Sequence, residues 1–133
     1  MSARRQRQMC IRDSNSELYV YCIKDMVVGC VSICSLMDDV YSKVSWRTDG
    51  KNSIYIHRLA VDPDHQKQGI GGKLMDFAEN KSKSDGIDSI RLDTFSKNTV
   101  NQNFYEARGY IKLEDIYFPL QSEYPFHCYE LLF

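Results

Sequence analysis

The chain predicts an α/β (α+β) fold: a mixed, mostly antiparallel sheet with helices packed on its faces. Three observations lead there. Six short segments are rich in Val, Ile, Tyr and Leu, whereas only two stretches carry apolar residues at helical spacing. These segments run β-β-β-α-β-α-β-β. The strand–helix–strand unit at the centre needs a crossover, which favours a parallel pair. The strands at either end suit antiparallel pairing.

Each element has a local reason. Residues 18–24 and 27–36 alternate weakly and form the first two strands, with a turn expected at Asp25-Met26 although no Asn-Gly marks it. Residues 37–52 are polar, end in Thr48-Asp49-Gly50-Lys51 and read as a loop. The third strand is 53–61. Residues 69–85 form a helix, with Ile70, Leu74, Phe77, Ala78 and the stem of Lys81 on one stripe. Gly86 is its stop signal. A strand follows at 87–95. Asn98 is a good N-cap for a short helix whose apolar stripe is Val100, Phe104 and Ala107. Gly109 ends that helix. Residues 110–118 and 126–133 make the last strand pair, and Pro119 and Pro125 bound the loop between them.

Composition narrows the class. Hydrophobic residues are 43% and charged residues 26% of the 133, an ordinary globular balance for one domain with a sizeable core. No apolar run reaches the roughly 20 residues that span a bilayer, and no secretory signal is visible, so no membrane partner is expected. The five cysteines form no C-x-x-C pair and no zinc spacing. Cys22, Cys30 and Cys34 read as buried strand thiols. A cytoplasmic, reducing setting is the default, and no metal is expected.

The segment Arg4-Arg5-Gln6-Arg7-Gln8-Met9-Cys10-Ile11-Arg12-Asp13-Ser14 has no apolar periodicity. It resembles the in-frame translation of a transposase-type sequencing adapter. Residues 1–14 are therefore set apart as a cloning or assembly scar, with 15–133 as the domain. The competing reading is a basic arm for nucleic acid or membrane. Without the scar, 13 Lys and Arg face 17 Asp and Glu, so the net charge is −4 instead of −1. That mild acidity argues against nucleic acid as a partner.

The most specific string lies between the third strand and the first helix: Asp62-Pro63-Asp64-His65-Gln66-Lys67-Gln68-Gly69-Ile70-Gly71-Gly72-Lys73. A glycine turn opening a helix presents free amide N–H groups and the positive end of the helix dipole to phosphate oxygens. A P-loop is excluded, because Lys67 stands at its first glycine and Leu74 at its Ser/Thr. A dinucleotide fingerprint fails because Leu74 fills its third glycine position. What remains is Gln-x-x-Gly-x-Gly, preceded by Leu59-Ala60-Val61.

That pattern resembles the coenzyme A loop of the GNAT superfamily of N-acetyltransferases. A second block, Asn98 to Tyr110, resembles the family's later motif Asn-x-x-Ala-x-x-Phe-Tyr-x-x-x-Gly-Phe/Tyr, with Asn101 in place of the usual Ala. The resemblance covers roughly 17–133. It implies a sheet whose two central strands splay apart to admit the acyl thioester. It also implies a first strand and two helices that this chain is expected to lack, so that part of the acceptor wall would be missing.

The resemblance further implies transfer of an acetyl group from acetyl-CoA to a primary amine by direct attack. The acceptor would be a small-molecule or peptide amine, and a homodimer is possible. Tyr105 would be the general acid and His57 the base, although water could replace His57. By strand alternation His57 should share the face of Leu59 and Val61. The amides of Gln66, Lys67, Gln68, Gly69, Ile70, Gly71 and Gly72 would hold the diphosphate. Leu59, Val61 and Asn98 would bond the pantetheine arm, with Tyr105 beside it. Tyr55 and Asp93 are weaker candidates for the acceptor, and Cys128 reads as packing. The alternative function is a non-catalytic acyl-CoA binding or sensing module.

Overall fold

The computed structural model describes residues 3–5, by their backbone alone, and 15–133. Among the described residues, seven strands lie in one sheet: β1 (Ala3–Arg5), β2 (Ser16–Ile23), β3 (Met26–Cys34), β4 (Ser53–Val61), β5 (Ser89–Phe95), β6 (Ile111–Ile116) and β7 (Phe126–Leu132). Their spatial order is β1-β2-β3-β4-β5-β7-β6. Helix α1 (Ile70–Ser84) joins β4 to β5, and α2 (Thr99–Ala107) follows β5. The expected element order holds from β2 onward. Of the segment set apart as a scar, only Ala3–Arg5 is described. It forms an edge strand against β2 that the sequence pattern did not suggest. The rest of that reading lies outside the described residues.

The β2–β3 turn falls one residue earlier than expected. Lys24 and Asp25 both take positive φ, 49° and 68°, and Ile23 pairs with Met26. Two left-handed residues in a two-residue loop match the right-handed twist of the strands, which is what a type I′ turn supplies. Asp accepts that conformation more readily than most side chains.

Packing occurs on both faces of the sheet. On one, α1 buries Ile70, Leu74, Met75 and Ala78 against Tyr19, Val28, Val31, Ile54 and Ile90. Phe77 and Lys81 are only partly covered, and Met75 and Ser82 complete the buried face. Burying a side chain such as Leu74 is worth about 1.5–3 kcal/mol. Gly29 lets the helix approach, since a Cβ there would lie 3.0 Å from both Ile70 Cγ2 and Leu74 Cδ1. On the other face, residues 37–52 are more than a loop. They contain a 3₁₀ turn, Asp39–Lys43, and bury Tyr41 and Val44 against Tyr55, Ile116 and Cys128.

The centre of the sheet parts as the resemblance implied. β4 and β5 pair in parallel only at Ser53–Ser89, Ile54–Ile90 and Tyr55–Arg91. Beyond Tyr55, β4 pairs with β3 alone while β5 continues along β7 to Phe95. The two strands therefore diverge toward their C-terminal ends, and a gap opens there. Among the described residues no helix is long and apolar enough to cross a membrane.

Candidate functional site

The gap holds a cavity of about 290 Å³ lined by His57, Leu59, Asp93, Asn98, Asn101 and Tyr105, among others. A second groove of about 810 Å³ runs over the loop before α1 and is lined by Val61, Gln66, Gly69, Gly71, Val100 and Phe104, among others. Leu59, Asn98 and Asn101 belong to both walls. The groove at the head of α1 and the cavity in the splay between β4 and β5 are therefore neighbours across these three residues.

At the head of α1 the backbone turns sharply. Lys67 and Gly69 both have positive φ, 65° and 78°. Gly69 is the N-cap and offers no side chain to the helix end. The first intrahelical bond runs from Lys73 N–H to Gly69 C=O at 3.0 Å, so the amides of Ile70, Gly71 and Gly72 have no helical partner. Gly71 and Gly72 do not take positive φ. A Cβ at Gly71 would come no closer than 3.9 Å to Val61 Cγ2, and one at Gly72 no closer than 3.7 Å to Arg108. Neither backbone strain nor packing inside the chain requires these two glycines. Gln66, Lys67, Gly69, Ile70, Gly71 and Gly72 all line the groove, whereas Gln68 does not. The side chain of Ile70 is buried in the core, leaving only its backbone to the groove.

Helix α2 forms the opposite bank. Asn98 caps it, its Oδ1 accepting from Asn101 N–H at 3.0 Å. The apolar stripe is not the face that α2 buries. Val100 is 76% exposed, Ala107 is exposed and Phe104 is partly covered, while the buried residue is Tyr105. Val100 and Phe104 line the groove, and Phe104 also packs against the core cluster. Nine residues make too short a window for the apolar spacing to separate a core face from a ligand face. Arg108 ties α2 to α1 through Glu79 and Asp76.

Tyr105 rests its ring against Phe104, Tyr110 and Tyr129. Its hydroxyl makes no hydrogen bond among the described residues. Burial, with a smaller contribution from Asp93 and partial relief from Arg108, pushes its pKa up to about 12. The phenol therefore stays protonated at neutral pH.

The expected face of His57 is corrected. Ser32 pairs with Arg58 and Ile33 with Ile56, so His57 is the extra residue of a β-bulge. The bulge shifts the alternation: Leu59 and Val61 join the cluster of Ile54 and Ile56, while Tyr55 packs in the opposite one. His57 is exposed and lines the cavity that also contains Asp93. Tyr55, offered as an acceptor contact, is core. It is buried, and its hydroxyl accepts from Arg91 at 3.1 Å.

Asp93 was a minor candidate and Tyr41 none, yet the two are joined. Tyr41 Oη donates to Asp93 Oδ2 at 2.5 Å. Tyr41 sits in a polar stretch without periodicity, so no sequence signal could have found it. Cys128 is fully buried, and burial with nearby carboxylates pushes its thiol up to about 12, which suits packing. Among the described residues, no three or more His, Cys, Asp or Glu gather as a metal cluster would require.

Comparison with known proteins fits this geometry. Residues 1–110 match the model of the Acetyltransferase (GNAT) family. The uncharacterized N-acetyltransferase YesJ of Bacillus subtilis is 31% identical over 88 residues, 65% of this chain and 49% of that protein. N-alpha-acetyltransferase 30 of Saccharomyces cerevisiae is 30% identical over 90 residues, 68% of this chain and 46% of its own length. The chain thus spans about half the length of these curated relatives. The PaiA N-acetyltransferase of Thermoplasma acidophilum, solved with coenzyme A, superposes with a TM-score of 0.66 at 20% identity. That match covers 90% of this chain and 62% of the other, and it is a likeness of fold.

Proposed function

The chain belongs to the acetyltransferase (GNAT) family, and from that membership we propose that it transfers an acetyl group from acetyl-CoA to a primary amine. The observation that carries this reading is the wall of Leu59, Asn98 and Asn101 that the two cavities share. The head of α1 suits a diphosphate, the splay suits an acyl thioester, and the shared wall suits the arm between them.

The chain's own residues divide the work. The free amides of Ile70, Gly71 and Gly72, with those of Gln66, Lys67 and Gly69, take the diphosphate oxygens, where the helix dipole adds positive potential, and Gln68, outside the groove lining, takes no part. Gly71 and Gly72 keep the backbone bare so that those oxygens can come close. Leu59 and Val61 lie on the part of β4 that β5 no longer pairs, where Val61 C=O accepts only a long bond of 3.5 Å from Gln66 Nε2, and they offer that edge to the pantetheine arm. Asn98 borders the same path. When bound, acetyl-CoA supplies the activated acyl group.

Two residues handle protons. His57, at the bulge, takes a proton from the amine, because a protonated amine is not a nucleophile. Tyr105 keeps its proton at working pH and gives it to the departing sulfur. The first test is calorimetric titration with coenzyme A, followed by thiol release from acetyl-CoA with an amine panel. Saturable binding with amine-dependent release is expected. Binding without release on any amine would instead favour a non-catalytic acyl-CoA sensor.

A further inference from the structure

The parting of β4 and β5 gives the groove two banks that belong to different halves of the sheet. The head of α1 follows β4, and the chain there is fixed to β3 by Asp62 N–H, which donates to Val28 C=O at 2.7 Å. Helix α2 is fixed to the other half. Gln102 Nε2 donates to Ser96 C=O at 2.8 Å, just past the end of β5. Tyr129 Oη, on β7, donates to Glu106 Oε2 at 2.7 Å. Among the described residues, no backbone pairing joins β4 to β5 beyond Tyr55 and Arg91, so the ladder does not set the distance between the banks.

One guanidinium spans them. Arg108, the C-cap of α2, meets Glu79 of α1 through two bonds, Nε to Oε2 at 3.0 Å and Nη2 to Oε1 at 2.9 Å. A two-pronged pair fixes direction as well as distance. Nη2 also donates to Asp76 Oδ1, and Tyr110, just past the helix, donates to Glu79 Oε2 at 2.9 Å. The Arg108 and Glu79 side chains are largely covered, whereas Asp76 is exposed, so the Glu79 pair carries the tie. The tie reaches the groove without entering it. Arg108 does not line the groove, but its guanidinium carbon lies 5.6 Å from the centroid of the Phe104 ring, which does. Phe104 Cζ would lie 4.0 Å from a Cβ at Gly71, which measures how near the two banks come.

We infer that Arg108 is a positioning residue for coenzyme A: it holds α2 against α1, across the split sheet, at the separation that lets one ligand touch both banks. This rests on the acetyl-CoA reading above and adds a requirement to it. Without the tie, α2 occupies that separation for only a fraction of the time. A ligand that binds one arrangement of two has its Kd raised by the inverse of that fraction. In the bound state the ligand bridges the banks, so the loss falls on binding and not on turnover.

The test compares the wild type with Arg108→Gln and Arg108→Lys, using calorimetric titration with coenzyme A and backbone hydrogen exchange without ligand. Arg108→Gln should raise the coenzyme A Kd about 10-fold, the effect of a competent fraction of about one tenth. Protected amides of α2 should exchange about 10-fold faster, while those of α1 stay within about twofold, because only one bank comes loose. Arg108→Lys keeps the charge but not the fork, and it should recover part of the affinity. For any amine that the wild type acetylates, the acetyl-CoA KM should follow the Kd, with kcat within about twofold. If Arg108→Gln fails to fold, Glu79→Gln replaces it with the same expected outcomes, since it keeps the side-chain shape and an acceptor for Tyr110. An unchanged Kd overturns the inference, whatever the exchange rates do. An equal rise in exchange over α1 and α2 overturns it too, because Arg108 would then stabilise the whole fold. In both cases a wild type that binds coenzyme A leaves the donor site standing. Failure of the wild type to bind coenzyme A overturns the proposed function, and the inference with it.

Discussion

Arg91 and Glu130 face each other across the β5–β7 register, with Nε 3.1 Å from Oε2 and both side chains sealed from solvent. Glu130 also accepts from Thr48 Oγ1 and Ser89 Oγ, at 2.6 and 2.7 Å. Burial pushes the Glu130 carboxyl up, but the bonds from Thr48, Ser89, the Arg47 amide and Arg91 outweigh it and hold the group below its ordinary range. A depressed folded pKa means stability that is present above the unfolded value and lost as pH falls through the folded one. Glu130→Gln leaves Arg91 buried without a counter-charge and should cost about 3 kcal/mol at pH 7. Thermal unfolding from pH 7 to pH 3 checks both points. The wild type should lose stability on the acid side, and the variant should start lower and lose less.

Gly71→Ala should separate folding from binding. Its Cβ would make only ordinary contacts, the nearest 3.9 Å away. The position lies in the first turn of α1 without positive φ, so replacing Gly should stabilise the fold by about 0.4–1 kcal/mol. The same methyl would stand between the free amides and a diphosphate, and coenzyme A affinity should fall by about tenfold or more. Calorimetry and a melting curve on one sample decide it. An unchanged Kd would mean that the loop does not approach the ligand.

The glycine string stands out because Gly69 answers a backbone demand while Gly71 and Gly72 answer none among the described residues. The motif singles out Tyr105, which lines the cavity. The apolar stripe of Val100, Phe104 and Ala107 gave no sign of the groove, because a groove-facing apolar side chain looks like a core one. The face of His57 was misplaced because a bulge adds a residue without changing composition. Tyr41 could not be seen at all. Its partner Asp93 lies 52 positions away, and only the fold brings them together.

Asn98 carries two proposed duties, and one substitution pair separates them. Its Oδ1 caps α2 through the Asn101 amide at 3.0 Å, so Asn98→Ala should cost about 1 kcal/mol of stability. Serine caps nearly as well, so Asn98→Ser should restore the melting temperature. If the longer amide side chain also bonds the pantetheine arm, coenzyme A affinity should stay reduced in both variants. Recovery of affinity with serine would leave Asn98 as a cap alone.

Tyr105→Phe tests the acid. The ring is buried against Phe104, Tyr110 and Tyr129, and its hydroxyl bonds to nothing in the described chain. Removing one oxygen should therefore leave the melting temperature within about 1 °C, as expected where no hydrogen bond is lost. The turnover number should drop about 100-fold, the lower end for general acid catalysis, with the coenzyme A Kd within about twofold. The pH profile adds a check that packing cannot imitate. With its pKa pushed up to about 12, Tyr105 remains protonated across the working range. Any fall in rate between neutral pH and about pH 10 then belongs to another group, and it should survive in the variant with the same midpoint. A variant that keeps full turnover would remove Tyr105 from proton transfer and leave the sulfur to depart as a thiolate.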